Sequence, residues 1–195
     1  MATDSYEAPT DGSAPPKVVL KRELRAAPSD WSANGLLLFS SVSEGHPIPS
    51  LSVYSPEDDK IRVFAVRGLE GQFSPDGKWV AYMSPGGIFV QAFPGPGAKV
   101  QVSTDAGSQP RWSRDGKQVV YIQPDKKLMA VKFDSRTASA SAPRVLFQTR
   151  ISETLAGGLQ YDVAPDGRFL INSLPADRSA PLTLLTNWNA KLNNK

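Results

Sequence analysis

One hairpin phrase occurs four times in this chain, and it limits the possible folds more than any other feature. Its clearest copy is Gly71–Met83, GQFSPDGKWVAYM, where a short run meets Pro75-Asp76-Gly77 and a second run follows. Pro presets φ at the first corner, Asp tolerates the second, and Gly accepts the left-handed position that closes the turn. The phrase recurs as Trp31-Ser32-Ala33-Asn34-Gly35 before LLLFS, as Trp112-Ser113-Arg114-Asp115-Gly116 before KQVVYI, and as Val163-Ala164-Pro165-Asp166-Gly167 before RFLIN. The anchors Trp31, Phe73, Trp112 and Val163 are separated by 42, 39 and 51 residues. Such a period predicts an all-β chain, a β-propeller of about four four-stranded antiparallel blades, either complete or the C-terminal part of a larger ring.

The expected repeats are about 29–66, 71–103, 109–149 and 159–188, within a propeller domain of 17–190. In each, the second strand (LLLF, WVAYM, QVVYI, FLIN) is almost continuously apolar, which implies burial on both faces, as between neighbouring blades. Trp31, Phe73, Trp112 and Tyr121 are accordingly expected in the core. The run His46-Pro47-Ile48-Pro49 is read as loop, because each Pro lacks a donor. The tract Asp134–Pro143 reads as a polar excursion between strands. Residues 1–16, rich in Pro, Ser, Thr and Asp, are read as a disordered leader. The fourth repeat runs Gln160–Val163, Phe169–Asn172 and Pro181–Trp188 and lacks a fourth strand. Lys17–Leu24, which reads as a strand although its length also suits a short helix, is therefore expected to complete the last blade, with Val18–Leu24 antiparallel to Leu182–Asn187. If the ring stays open, the exposed edge invites self-association.

Composition excludes several function classes. A net charge of +3 with Lys and Arg scattered among acids gives no electrostatic case for nucleic acid. Zero Cys removes disulfides, thiolate catalysis and Cys-based metal sites. One His, His46, cannot build a multi-His zinc site. No apolar run approaches the roughly 20 residues of a membrane helix, and MATDSYEAPTDGSAPP has neither the basic start nor the apolar core of a signal peptide.

The run FSPDGKWVAYMS through GIFVQAF resembles the repeats of TolB-like, WD40-like β-propellers. With QAFPGPGAKVQVSTDAGSQPRWSRDGKQVVYI, KLMAVKF, APRVLFQTR and YDVAPDGRFLIN, the text is most similar to the C-terminal propeller of bacterial eukaryotic-type Ser/Thr kinases. That resemblance covers about residues 17–190 and implies a non-catalytic sensor or interaction region, with an extracytoplasmic setting. It departs in three ways: SANG replaces SPDG in the first repeat, such propellers usually have more than four blades, and the kinase half is absent. No HRD or DFG motif occurs, and GPGAK has no Walker spacing. TolB-like propellers also resemble the non-catalytic domains of prolyl-oligopeptidase-type peptidases, yet no G-x-S-x-G elbow is present.

Chemistry is thus expected to be absent: no catalytic residue, no metal and no cofactor. Asp76, Asp115 and Asp166 are assigned to their turns, kept apart around a ring. The positions just before the anchors, Asp30, Gln72, Arg111 and Asp162, fall on the innermost strands near a channel mouth. They are the candidate interaction residues for a protein or small-molecule partner at a propeller face. The alternatives are a channel-sited enzyme of glycosidase or lactonase type, with Asp30 and Asp162 as the available acids, and a fragment without independent function.

Overall fold

The computed structural model describes residues 4–20, 25–43, 46–151 and 159–174. The chain opens with β1 (Ser5–Glu7) paired antiparallel to β2 (Lys17–Leu20). A four-stranded antiparallel sheet follows, β3 (Arg25–Trp31), β4 (Leu37–Ser43), β5 (His46–Ser55) and β6 (Lys60–Val66), in simple meander order. The second sheet repeats the pattern with β7 (Leu69–Phe73), β8 (Trp79–Ser84), β9 (Gly87–Ala92) and β10 (Lys99–Gln101). The third holds β11 (Ser108–Trp112), β12 (Gln118–Ile122) and β13 (Lys127–Asp134). The end of β13 pairs with the short β14 (Ser139–Ala140), and its body pairs with β15 (Arg144–Gln148). Of the fourth repeat, β16 (Tyr161–Val163) and β17 (Phe169–Ile171) form a hairpin, while its third expected strand lies outside the described residues. These sheets have the form of successive propeller blades.

The repeated phrase builds each first hairpin around a serine. Ser74 Oγ donates to Asp76 at 2.6 Å and accepts the Trp79 N–H at 3.0 Å, while Asp76 also accepts the Lys78 N–H. Ser113 and Asp115 repeat these bonds. Ser32 does the same with Asn34 and Leu36, so the Asn-Gly turn is equivalent. Gly35, Gly77, Gly116 and Gly167 all take positive φ at the closing position. The three aspartates are turn groups, as expected. Their turns are not fully apart, however: Pro75 lies against Gly116, and Asp76 and Asp115 line one cleft of about 930 Å³.

Packing between sheets explains the continuous apolar strands. Leu38 faces the second sheet, packing with Val80, Tyr82 and Phe73, while its neighbour Phe39 faces the other way, with Leu37 and Tyr54. Ala81 and Val119 meet between the second and third sheets; Val120 turns to Tyr161 in the fourth. Consecutive residues thus serve opposite interfaces, and each fully buried side chain contributes about 1.5–3 kcal/mol.

Several expectations are corrected. Trp31 is not core: it is 42% exposed, whereas Phe73 and Trp112 are buried. The anchor of each repeat packs on the preceding sheet, and no four-stranded sheet precedes the first among the described residues. The loop expected at His46–Pro49 is part of β5. The partner strand β6 ends at Val66, so Pro49 stands beyond the ladder, and its carbonyl takes the Arg67 N–H at 2.7 Å. Within the polar excursion, β14 forms, and Ala138 and Ala140 pack on the core. The leader carries β1, because Ser5–Glu7 finds a backbone partner in β2. Leu20 of β2 is buried against Leu37, Phe39 and Tyr54, on the face of the first sheet turned away from the second. Lys21–Leu24 and Leu182–Asn187 lie outside the described residues, and so does the closing pair expected between them.

Candidate functional site

The first strand of every repeat contacts the next, β3 with β7, β7 with β11, and β11 with β16. Their inner faces therefore share one space. Asp30, Gln72, Arg111 and Asp162, one from each repeat, line a single cavity of about 420 Å³, together with Gln160 and Asn172. A second cavity of about 470 Å³ adjoins at the turn end. Asp30 and Gln72 reach into it, and Ser32, Pro75, Arg114 and Pro165 of the four turns bound it.

Two of these residues also join the sheets. Asp30 Oδ2 accepts the Phe73 N–H at 2.8 Å, and Gln72 Oε1 accepts the Trp112 N–H at 2.7 Å. The Trp112 indole N–H donates back to the Gln72 carbonyl at 3.2 Å. Each bond runs from the residue before one anchor to the backbone of the next anchor. The third repeat breaks the series because Arg111 has no acceptor to offer. The Val163 N–H is taken instead by Asp162 of its own strand, at 2.8 Å.

A second tier of bonds lies three residues before the anchors, which sequence reasoning missed. Glu70 Oε2 accepts the Gln109 N–H at 2.7 Å, and Gln109 Oε1 accepts the Gln160 N–H at 2.7 Å. The Tyr161 hydroxyl lies within bonding distance of the Gln109 and Val120 carbonyls. Glu70 and Gln109 sit at positive φ, 54° and 55°, beside equivalent shifts in strand pairing. That backbone is uncommon for non-glycine residues, and the bond to the next sheet helps offset its cost. The available signal was the recurrence of Glu70, Gln109 and Gln160 three places before Phe73, Trp112 and Val163.

Arg111 is 4% exposed, and Nη1 donates to the Pro110 carbonyl at 2.9 Å. Burial raises the carboxyl groups of Asp30 and Glu70 above their ordinary range, opposed by backbone N–H bonds and by the Arg111 charge. Burial likewise drives the Tyr161 phenol far upward, so it serves as a neutral hydroxyl. Among the described residues, no group of three or more His, Cys, Asp or Glu is placed to hold a metal ion. No helix of the described residues is long and apolar enough to cross a membrane.

No family profile and no curated protein matches the chain. Solved structures do. TolB from Acinetobacter baumannii matches at 20% identity and a TM-score of 0.59, over 81% of this chain and 39% of that one. A protein from Agrobacterium tumefaciens assigned to TolB matches at 16% and 0.58, over 74% and 56%. One from Bacteroides uniformis assigned as a 6-phosphogluconolactonase matches at 12% and 0.54, over 87% and 57%. The chain thus spans between about two fifths and three fifths of the length of these structures. At such identities the likeness is one of fold: a β-propeller-like architecture distantly related to TolB and other propellers, coarser than the kinase-linked resemblance in the sequence.

Proposed function

We propose that this chain is a non-catalytic binding module that receives a protein or small-molecule partner at the mouth formed by its first strands. One observation carries the reading: residues before all four anchors line one cavity. The inter-sheet bonds of Asp30 and Gln72 hold part of its wall in place, which suits recognition, where a preorganised surface lowers the cost of binding. The repeated carboxylates Asp76, Asp115 and Asp166 are already engaged in their turns. TolB and the kinase-linked propellers that the sequence resembles point the same way, toward a sensor or interaction region in an extracytoplasmic setting. An upstream reading frame encoding a kinase domain and a membrane helix would support the kinase link.

Leu170 is exposed and lines the cavity, whereas Val63 is exposed on the outer strand β6. A photo-crosslinking amino acid replacing Leu170 should capture a discrete partner in cells expressing the whole protein, and one replacing Val63 should not. Adducts at Val63 alone would overturn the choice of face. Turnover abolished by Asp30→Asn or Asp162→Asn would overturn the non-catalytic reading and favour the channel-sited enzyme.

A further inference from the structure

Arg111 is the exception in the repeat. The corresponding positions carry the acceptors Asp30, Gln72 and Asp162, whereas the third repeat brings a cation there. A guanidinium has five N–H donors, and among the described residues this one makes one hydrogen bond, to the Pro110 carbonyl. No ion pair within 4 Å engages it among the described residues, although Asp30 and Glu70 lie near enough to feel its charge. Both acids have committed an oxygen to the next sheet. A side chain this deeply buried, with donors to spare, is costly unless an acceptor reaches it. It lines the 420 Å³ cavity on one side and a smaller one of about 210 Å³ on the other.

The planar fork of an arginine matches a carboxylate through two parallel bonds. A simple anion is nevertheless a poor fit, because Asp30, Glu70 and Asp162 outnumber the single guanidinium. The ligand must bring its own positive charge. We propose that Arg111 holds the carboxylate of a small zwitterion whose cationic group meets Asp30 and Asp162 across the same cavity. A volume of 420 Å³ lies in the ordinary range for small-molecule sites. The proposal rests on the reading of this mouth as the binding face and names the ligand class it takes.

The test uses the whole chain and four probes: 4-aminobutyrate and glycine as zwitterions, acetate and ethylammonium as the separate halves. Binding is read from the Arg111 Nε–Hε resonance. At least one zwitterion should shift it saturably, about tenfold more tightly than either half. Arg111→Gln supplies the same side chain as Gln72, so it should fold and lose the binding. Asp162→Asn, at an exposed position, should weaken the zwitterion and leave acetate unchanged. Silence from both zwitterions, equal binding of acetate, or full binding by Arg111→Gln would overturn the proposal. So would unchanged zwitterion affinity in Asp162→Asn, which decides the matter if Arg111→Gln does not fold. A bound zwitterion without adducts at Leu170 would keep this site and remove a macromolecular partner; adducts without zwitterion binding would do the reverse.

Discussion

Replacing Gln72 by Leu tests the bonds between sheets directly. The change keeps side-chain bulk but removes the acceptor that takes the Trp112 N–H at 2.7 Å. Trp112 is buried, and with Gln72 gone its amide would have to find a replacement partner in water from the adjoining cavity. Leaving a buried donor unpaired costs about 1–3 kcal/mol. At roughly 2 kcal/mol the melting temperature should fall by about 4–8 °C for a chain of this size. Gln72→Glu retains an acceptor of the same reach, the one Glu70 already uses toward Gln109, and should cost much less. Urea unfolding followed by tryptophan fluorescence measures both variants, with buried Trp79 and Trp112 as reporters at the affected interface. If Gln72→Leu matches the wild type, or Gln72→Glu is as damaging as Leu, the bond does not hold the sheets as argued.

Gly77→Val should destabilise by about 1–2 kcal/mol or more through its φ of 68°, while the exposed Arg136→Ala stays nearly neutral; equal losses in urea unfolding would refute the turn assignment. Tyr121→Phe should raise stability by up to about 1–2 kcal/mol, because the buried hydroxyl has no partner among the described residues; Val131 stands where Gln91 serves Tyr82, and a loss on substitution would refute this account. Asp30→Asn should stabilise the chain more at pH 8 than at pH 4. The raised carboxyl binds protons more tightly folded than unfolded, so its destabilising effect is relieved as pH falls through its folded value, and a gain that grows on acidification would contradict that sign. Deletion of residues 1–16 should change the melting temperature little, whereas deletion of 1–25 also removes Leu20 from its cluster and, if the proposed closing strand exists, opens the last blade. A monomeric 26–195 chain of undiminished stability would rule that closure out.

The turns and strands were legible because their causes are local. Ser74, Asp76 and Gly77 specify a hairpin within a few residues, and the structure realises it with bonds spanning no more than five positions. Continuous apolar runs likewise disclosed two-sided burial, since Leu38 and Phe39 need only alternate to serve opposite interfaces. What was missed depends on partners far along the chain. Trp31 opens the same Trp-Ser-x-x-Gly phrase as Trp112, but it is 42% exposed, and no four-stranded sheet precedes the first among the described residues. Glu70 and Gln109 are ordinary polar residues until a shift in strand pairing places them at positive φ, facing the next repeat 39 and 51 residues on.

The four candidate positions show both sides of this at once. Their spacing from the anchors was enough to place them on one cavity wall. It was not enough to separate their roles, because an acceptor there has two uses: joining the sheets or meeting a partner. Asp30 and Gln72 are committed to the next sheet, so removing the acceptor at either should disturb stability before recognition. Arg111 offers no acceptor and retains donors, and among the described residues Asp162 bonds within its own strand. Recognition should therefore fail first at Arg111 and Asp162, with the fold intact, and that order of losses distinguishes a binding wall from a purely structural seam.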